Sequence, residues 1–313
     1  MQKQRTLFLI ISLGVLTVLS FSLAFFTGEQ PKPEIDRDYF RMMDTEKMDE
    51  VKLHSTLGDV ELKFENNRWR VNGQWDADAQ MIKVLFATLK QIEPRRPVAS
   101  AIRDSVSQRL TKKGIHVAIS EAGEKRLSFL AGGNEDKTET WFLKEGDTQP
   151  YVMTLPGYRV YAAGIFELEG NGWRSKRIFD FNWRNFRSLA VTYPNESKQN
   201  FEVEMQDNFF GIKNMSQVDT TKLNNFLDAV SLLLADQFVE SARPGIDSLA
   251  ALPAAARFEI KDVANRTYSL DVLQPGRKDR QIYGRMGNGE IVTIGKSKID
   301  EIVRRRDHFL PGK

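Results

Sequence analysis

Apolar residues fall into three patterns along this chain. From Leu7 to Phe26 they run together, LFLIISLGVLTVLSFSLAFF, without one charged side chain. At about 1.5 Å per residue a helix of that run spans roughly 30 Å, the thickness of a bilayer's hydrocarbon core. From Val60 to Phe64 apolar and polar residues alternate, the period of a strand with one buried face. From Asp78 onward the spacing changes to three and four, through Ile82, Leu85, Leu89 and Ile92. That spacing predicts an amphipathic helix, with the Asp78 carboxylate placed to accept the free amides of the first turn.

The apolar run carries a direction. Lys3 and Arg5 precede it, whereas Thr27 to Asp38 holds more acids (Glu29, Glu34, Asp36, Asp38) than bases (Lys32, Arg37). The positive-inside bias then puts residues 1–6 in the cytoplasm and the bulk outside, periplasmic in a bacterial inner membrane. A cleaved signal peptide would have a shorter apolar region ending in small residues, and Ala24-Phe25-Phe26 is bulky. An uncleaved single-pass anchor over 7–26 is the expectation. Pro31-Lys32-Pro33 cannot continue a helix and reads as a stiff spacer within a linker over 27–40.

The remaining chain is self-similar. Displaced by 141 residues, Val60, Leu62 and Phe64 fall on Phe201, Val203 and Met205, and Trp69 and Val71 on Phe210 and Ile212. Asp78 falls on Asp219, Ile82 on Leu223, Leu85 on Phe226, Leu89 on Val230, Val117 on Phe258 and Phe129 on Leu270. Farther on, the match is expected to resume with a displacement of 131, so that Val160 meets Ile291 and Gly164 meets Gly295. Both copies then end in basic residues and a phenylalanine, Phe179 and Phe309. Each copy reads as a hairpin, one amphipathic helix and a second antiparallel group. In the first copy that group is His116–Ser120, Arg126–Ala131, Thr138–Lys144 and Tyr151–Leu155, with a short helix near Val160–Leu168. The fold class is therefore α+β: an N-terminal transmembrane helix, then two tandem repeats of mostly antiparallel sheet with covering helices, over 41–178 and 179–313.

Three short segments carry a resemblance: Arg68-Trp69-Arg70-Val71, the capped helix after Ala77-Asp78-Ala79, and Gly157-Tyr158-Arg159-Val160-Tyr161. With the N-terminal apolar run they resemble a family catalogued as domain of unknown function 4340, across nearly the whole extracytoplasmic region. The resemblance implies association with ABC-transporter-like systems of the gliding-motility type, and it carries over no established catalytic residue. The second copy departs from the pattern, with Phe210-Gly211-Ile212 and Glu290-Ile291-Val292 at the matching places.

Composition narrows the chemistry. The chain has no cysteine, which removes disulfides, thiol nucleophiles and thiolate metal sites. Its three histidines, His54, His116 and His308, lack metal-ligand spacing, so no metal or cofactor is expected. Net charge is +3, from 45 basic and 42 acidic side chains, which gives no global case for nucleic acid. Asp76 and Asp78 are paired carboxylates, but an N-cap accounts for Asp78 and its counterpart Asp219. No nucleophile-elbow or phosphate-loop motif is present.

What remains is contact chemistry. Arg174, Lys176 and Arg177, and Arg304, Arg305 and Arg306, form two basic clusters that could meet an acidic partner or anionic headgroups. Trp75 and Trp173 sit among polar residues and are candidate contact aromatics. The expected function is a non-enzymatic, membrane-anchored accessory protein that docks on an ABC-transporter-like complex. The alternative is a periplasmic ligand- or glycan-binding domain with a groove between the repeats.

Overall fold

A computed structural model describes residues 12–22, 35–56, 58–181, 183–206, 209–240, 243–274 and 281–312. Residues 12–22 form a helix, α1. The rest of the 7–26 stretch lies outside the described residues, and among the described residues no helix is long and apolar enough to cross a membrane.

The alternating segment and its neighbours build β1 (Met48–Ser55), β2 (Gly58–Glu65), β3 (Arg68–Val71) and β4 (Trp75–Asp76). Then come α2 (Ala79–Gln91), β5 (Glu93–Pro97), α3 (Ser100–Lys113), β6 (Ile115–Glu121), β7 (Glu124–Gly133), β8 (Thr140–Lys144) and β9 (Tyr151–Thr154). These strands form one antiparallel sheet, in the order β4-β3-β2-β1-β6-β7-β8-β9-β5. The Asp78 carboxylate accepts from the amides of Gln80 and Met81, at 2.7 and 3.2 Å, and so starts α2 as its spacing requires. α2 lays Ile82, Leu85 and Leu89 against Val51, Leu62, Val117 and Phe129. Each such aliphatic side chain, fully buried, contributes about 1.5–3 kcal/mol. α3 covers the opposite face, where Val106 and Leu110 meet Trp141, Leu143 and Val152.

The second unit repeats the plan with β10 (Phe186–Thr192), β11 (Phe201–Gln206), β12 (Phe209–Ile212), α5 (Thr220–Ser231) and β13 (Gln237–Phe238), the first unit having ended in the four-residue helix α4 (Gly170–Trp173). The five-residue α6 (Ile246–Ala250) stands where the first unit has α3, and β14 (Ala254–Asp262), β15 (Thr267–Leu273), β16 (Gln281–Met286), β17 (Ile291–Gly295) and α7 (Lys296–Ile302) follow. The sheet order is β12-β11-β10-β14-β15-β16-β17-β13, the same order without a counterpart of β4. Asp219 caps α5 through the Lys222 amide, at 3.1 Å. Even the first strands bulge alike, between Met48 and Glu50 and between Phe186 and Ser188.

Three expectations change. The displacement of 141 does not give way to 131. Val152 lies opposite Trp141 and Thr293 opposite Tyr283, so β17 is the counterpart of β9, and Val160 to Gly164 lead into the short helix expected there, a 3-10 turn over Ala162–Ile165. The partner of Phe309 is Trp173, not Phe179. The Trp173 carbonyl accepts the Asp78 amide at 2.7 Å, and the Phe309 carbonyl accepts the Asp219 amide at 2.8 Å. Finally, the stretch read as linker ends inside the first core. Phe40 is fully buried against Phe129 and Phe142, and Tyr39 packs beside it.

Candidate functional site

The repeats meet where the chain passes between them. The Ser175 amide donates to the Asp76 carbonyl of the first unit at 2.8 Å, and the Lys176 carbonyl accepts from the Ala235 amide of the second at 2.8 Å. The hand-over thus takes one peptide bond, three residues ahead of the 178/179 boundary read from the sequence.

Arg174 closes that junction. The antiparallel β3–β4 pairing sets Trp75 opposite Val71, and an isolated bridge joins Ala77 to Arg174. The Arg174 Nη2 donates to both Glu290 carboxylate oxygens at 2.8 Å, and Nη1 donates to Asn171 Oδ1 at 3.1 Å. Its guanidinium carbon lies 4.2 Å from the centre of the Trp75 ring and 3.8 Å from that of Phe238. A cation between two aromatic faces gains up to about 2 kcal/mol per face when desolvated. Arg174 is 5% exposed, and its Nε is buried without a hydrogen-bond partner among the described residues. The first unit thus supplies Trp75, Asn171 and Arg174, and the second Phe238 and Glu290.

This placement corrects part of the contact-surface reading. Arg174 is inside the molecule, because a cross-unit carboxylate and two rings replace the water its charge would need. Trp173 is fully buried in the first core, with its indole N–H donating to the Leu168 carbonyl at 3.1 Å. Its polar neighbours in sequence belong to the junction. Lys176 donates to the Asp236 carbonyl at 3.1 Å, while Arg177 is exposed. In the other cluster Arg304 reaches the Glu301 carbonyl, Arg305 pairs with Glu196 and Arg306 reaches the Asn214 carbonyl. The two clusters are not equivalent: one follows Trp173, whereas the other precedes Phe309.

On another side of Trp75 a cleft of about 250 Å³ opens, with every lining residue from the first unit. Leu53, Val60, Phe166 and Leu168 give it an apolar floor, and Asp59, Asn72, Glu169 and Asn171 a polar rim. Asn72, at φ 51° just before Gly73, supplies the left-handed turn that ends β3. Its Oδ1 accepts the Glu61 amide at 2.8 Å. Asp59 is paired with His54, and Glu167 holds Lys137 at 2.7 Å and the Tyr161 hydroxyl at 2.5 Å. Burial, then the Glu167 carboxylate, pushes the Tyr161 phenol above its ordinary range. Glu169 is exposed, with no ion pair or side-chain hydrogen bond among the described residues.

The paired carboxylates have structural work. Asp76 receives Arg70 at 2.7 Å and Arg68 at 3.2 Å, and Asp78 caps α2. The fold also places His54 directly across from His116, whose Nε2 lies 3.0 Å from Ser128 Oγ. Among the described residues no group of three or more potential ligands converges on a metal-sized space.

The family described as Domain of unknown function (DUF4340) matches residues 69–253. The chain belongs to that family. The match starts in β3 and stops just before β14, so it runs through the junction and takes in part of each repeat. No curated protein and no solved structure matches the chain.

Proposed function

We propose that this DUF4340 protein is a membrane-anchored, extracytoplasmic accessory protein that docks on a membrane complex of the ABC-transporter type. The observation that carries the reading is an apolar residue left exposed at the same place in both repeats. Phe64 on β2 is 44% exposed, its counterpart Met205 on β11 is 48%, and Phe209 at the start of β12 is 76%. Met205 and Phe209 stand on neighbouring strands at one hairpin end, and exposed apolar side chains placed together favour a protein contact. The anchor rests on the uncharged run over 7–26. Within it Leu13, Leu16, Val18, Leu19 and Phe21 are all exposed, and the Thr17 hydroxyl donates to the Leu13 carbonyl at 3.0 Å. A hydroxyl satisfied by its own helix suits hydrocarbon surroundings.

The test is capture of the full-length protein from its native membrane in mild detergent, followed by mass spectrometry. Recovery of an ABC-type permease or its auxiliary subunits, lost with Phe64→Ser and Phe209→Ser but not with a change on α3, supports docking. Recovery of the folded protein alone sinks it. Orientation is tested separately. Because the chain has no cysteine, a cysteine placed at Glu65 reports it, and an impermeant maleimide added outside intact spheroplasts should label it.

A second reading, ligand binding, is favoured by the cleft beside Trp75. That cleft lies within the first repeat rather than between the two.

A further inference from the structure

We propose that the cleft beside Trp75 binds the ring of a neutral saccharide, which gives the ligand-binding reading a chemical class. The floor is apolar and one wall is an indole, a surroundings that suits the C–H face of a rigid ring. The rim then decides what that ring must carry. The oxygens of Asn72 and Asn171 already accept from the Glu61 amide and from Arg174, which leaves the N–H groups of both side chains to donate to a ligand. Glu169 offers two free acceptor oxygens beside them. Neighbouring hydroxyls each donate and accept, so a donor–acceptor–donor rim answers them.

The competing charges fit less well. An anion would meet the unpaired Glu169 carboxylate, and the nearby cation Lys137 is already held by Glu167. A cationic ligand would find Asp59 and Glu167 already paired, one free carboxylate, and two amide donors it cannot use. A neutral ring with hydroxyls uses all three rim groups.

Two of the lining residues also build the junction. Trp75 carries the Arg174 guanidinium, and Asn171 accepts from it. A sugar that takes the Asn171 amide nitrogen would therefore sit one side chain away from the contact between repeats.

The experiment uses the full chain in detergent with chitobiose, cellobiose and maltose as probes and spermidine as the cationic control. Calorimetry gives the affinity, and saturation-transfer NMR shows which probe protons face the protein. At least one disaccharide should bind one-to-one, with transfer strongest to ring C–H protons. Glu169→Ala should weaken it by roughly tenfold or more, the effect of losing a hydrogen bond to a charged acceptor. Gly170→Leu should abolish it without lowering the melting temperature. A Cβ at Gly170 meets only the Asn72 side-chain nitrogen, at 3.7 Å, so the added bulk fills the cleft without backbone strain. Failure of all three sugars to bind, or binding that survives Gly170→Leu, overturns the proposal. So does spermidine binding that exceeds the sugars' and is lost with Glu169→Ala. If no probe binds at all, the ligand-binding reading falls too. If only spermidine binds, that reading stands with a cationic ligand in place of the sugar.

Discussion

Trp173 and Arg174 are adjacent in the chain and do opposite things. Trp173 fills the first core while its carbonyl holds the Asp78 amide, and Arg174 turns the other way to reach Glu290 in the second repeat. Replacing Trp173 by Ala removes a fully buried indole and should cost about 3–5 kcal/mol, read from urea unfolding. Its burial was hard to see in the sequence because Asn171, Gly172 and Arg174 around it are polar or small. Asn171 and Arg174 serve the cleft and the junction. Arg174 was equally hidden, since its compensating carboxylate lies 116 residues away and no local spacing points to it. His308 carries a pH-dependence. Burial first, then Arg304 and Lys222, lower its imidazole below the ordinary value, while Asp219 pulls weakly in the opposite direction. A base with a lowered folded pKa resists protonation in the folded state. Stability is therefore complete above the ordinary imidazole value of about 6.5 and declines as pH falls through the lowered one. His308→Gln should flatten the melting temperature between roughly pH 7 and pH 5.

Elements were the most legible part of the chain. The change of period from two to three and four, with an aspartate at the change, occurs twice, and the structure caps α2 and α5 there. Asp78→Ala and Asp219→Ala should each cost about 1 kcal/mol, and the two effects should add in thermal unfolding because the helices belong to different cores. The register was legible while strands paired in sequence order. It slipped at the last strand of each unit, because an ungapped comparison cannot tell a strand from the connection after it when both carry aromatic and apolar residues. Tyr151 to Thr154 pair in the sheet, whereas Tyr158 and Val160, equally apolar on paper, are exposed. The cleft was not legible at all. Asn72 comes from a turn, Asn171 from a four-residue helix and Glu169 from the position before that helix, and only the fold brings them to one rim.

At the scale of the whole molecule, the cores are separate, and Arg174, held between two rings and paired with Glu290, joins them. Removing Arg174 takes charge-assisted hydrogen bonds from a Glu290 carboxylate that is 28% exposed, at about 1.5–3 kcal/mol. Arg174→Ala should therefore uncouple the repeats more than it unfolds either. In calorimetry, a single cooperative transition in the parent should divide into two. Arg174→Met, which keeps the stem and packs on both rings without a charge, should keep the transitions closer together. A single unchanged transition in both variants would assign the coupling to the other ion pair across the junction, Arg68 with Asp180 at 3.2 Å, instead. The same geometry has a mechanical meaning. If the N-terminal run is fixed in a bilayer and the second repeat is held by a neighbour, tension runs through both sheets and the crossing in series. Each sheet resists with many backbone bonds loaded together, while the crossing resists with the few around Arg174 and the Arg68–Asp180 pair. Under pull, the crossing should yield first and lengthen the molecule while both sheets stay folded, so the junction would set how far the second repeat can travel from the membrane.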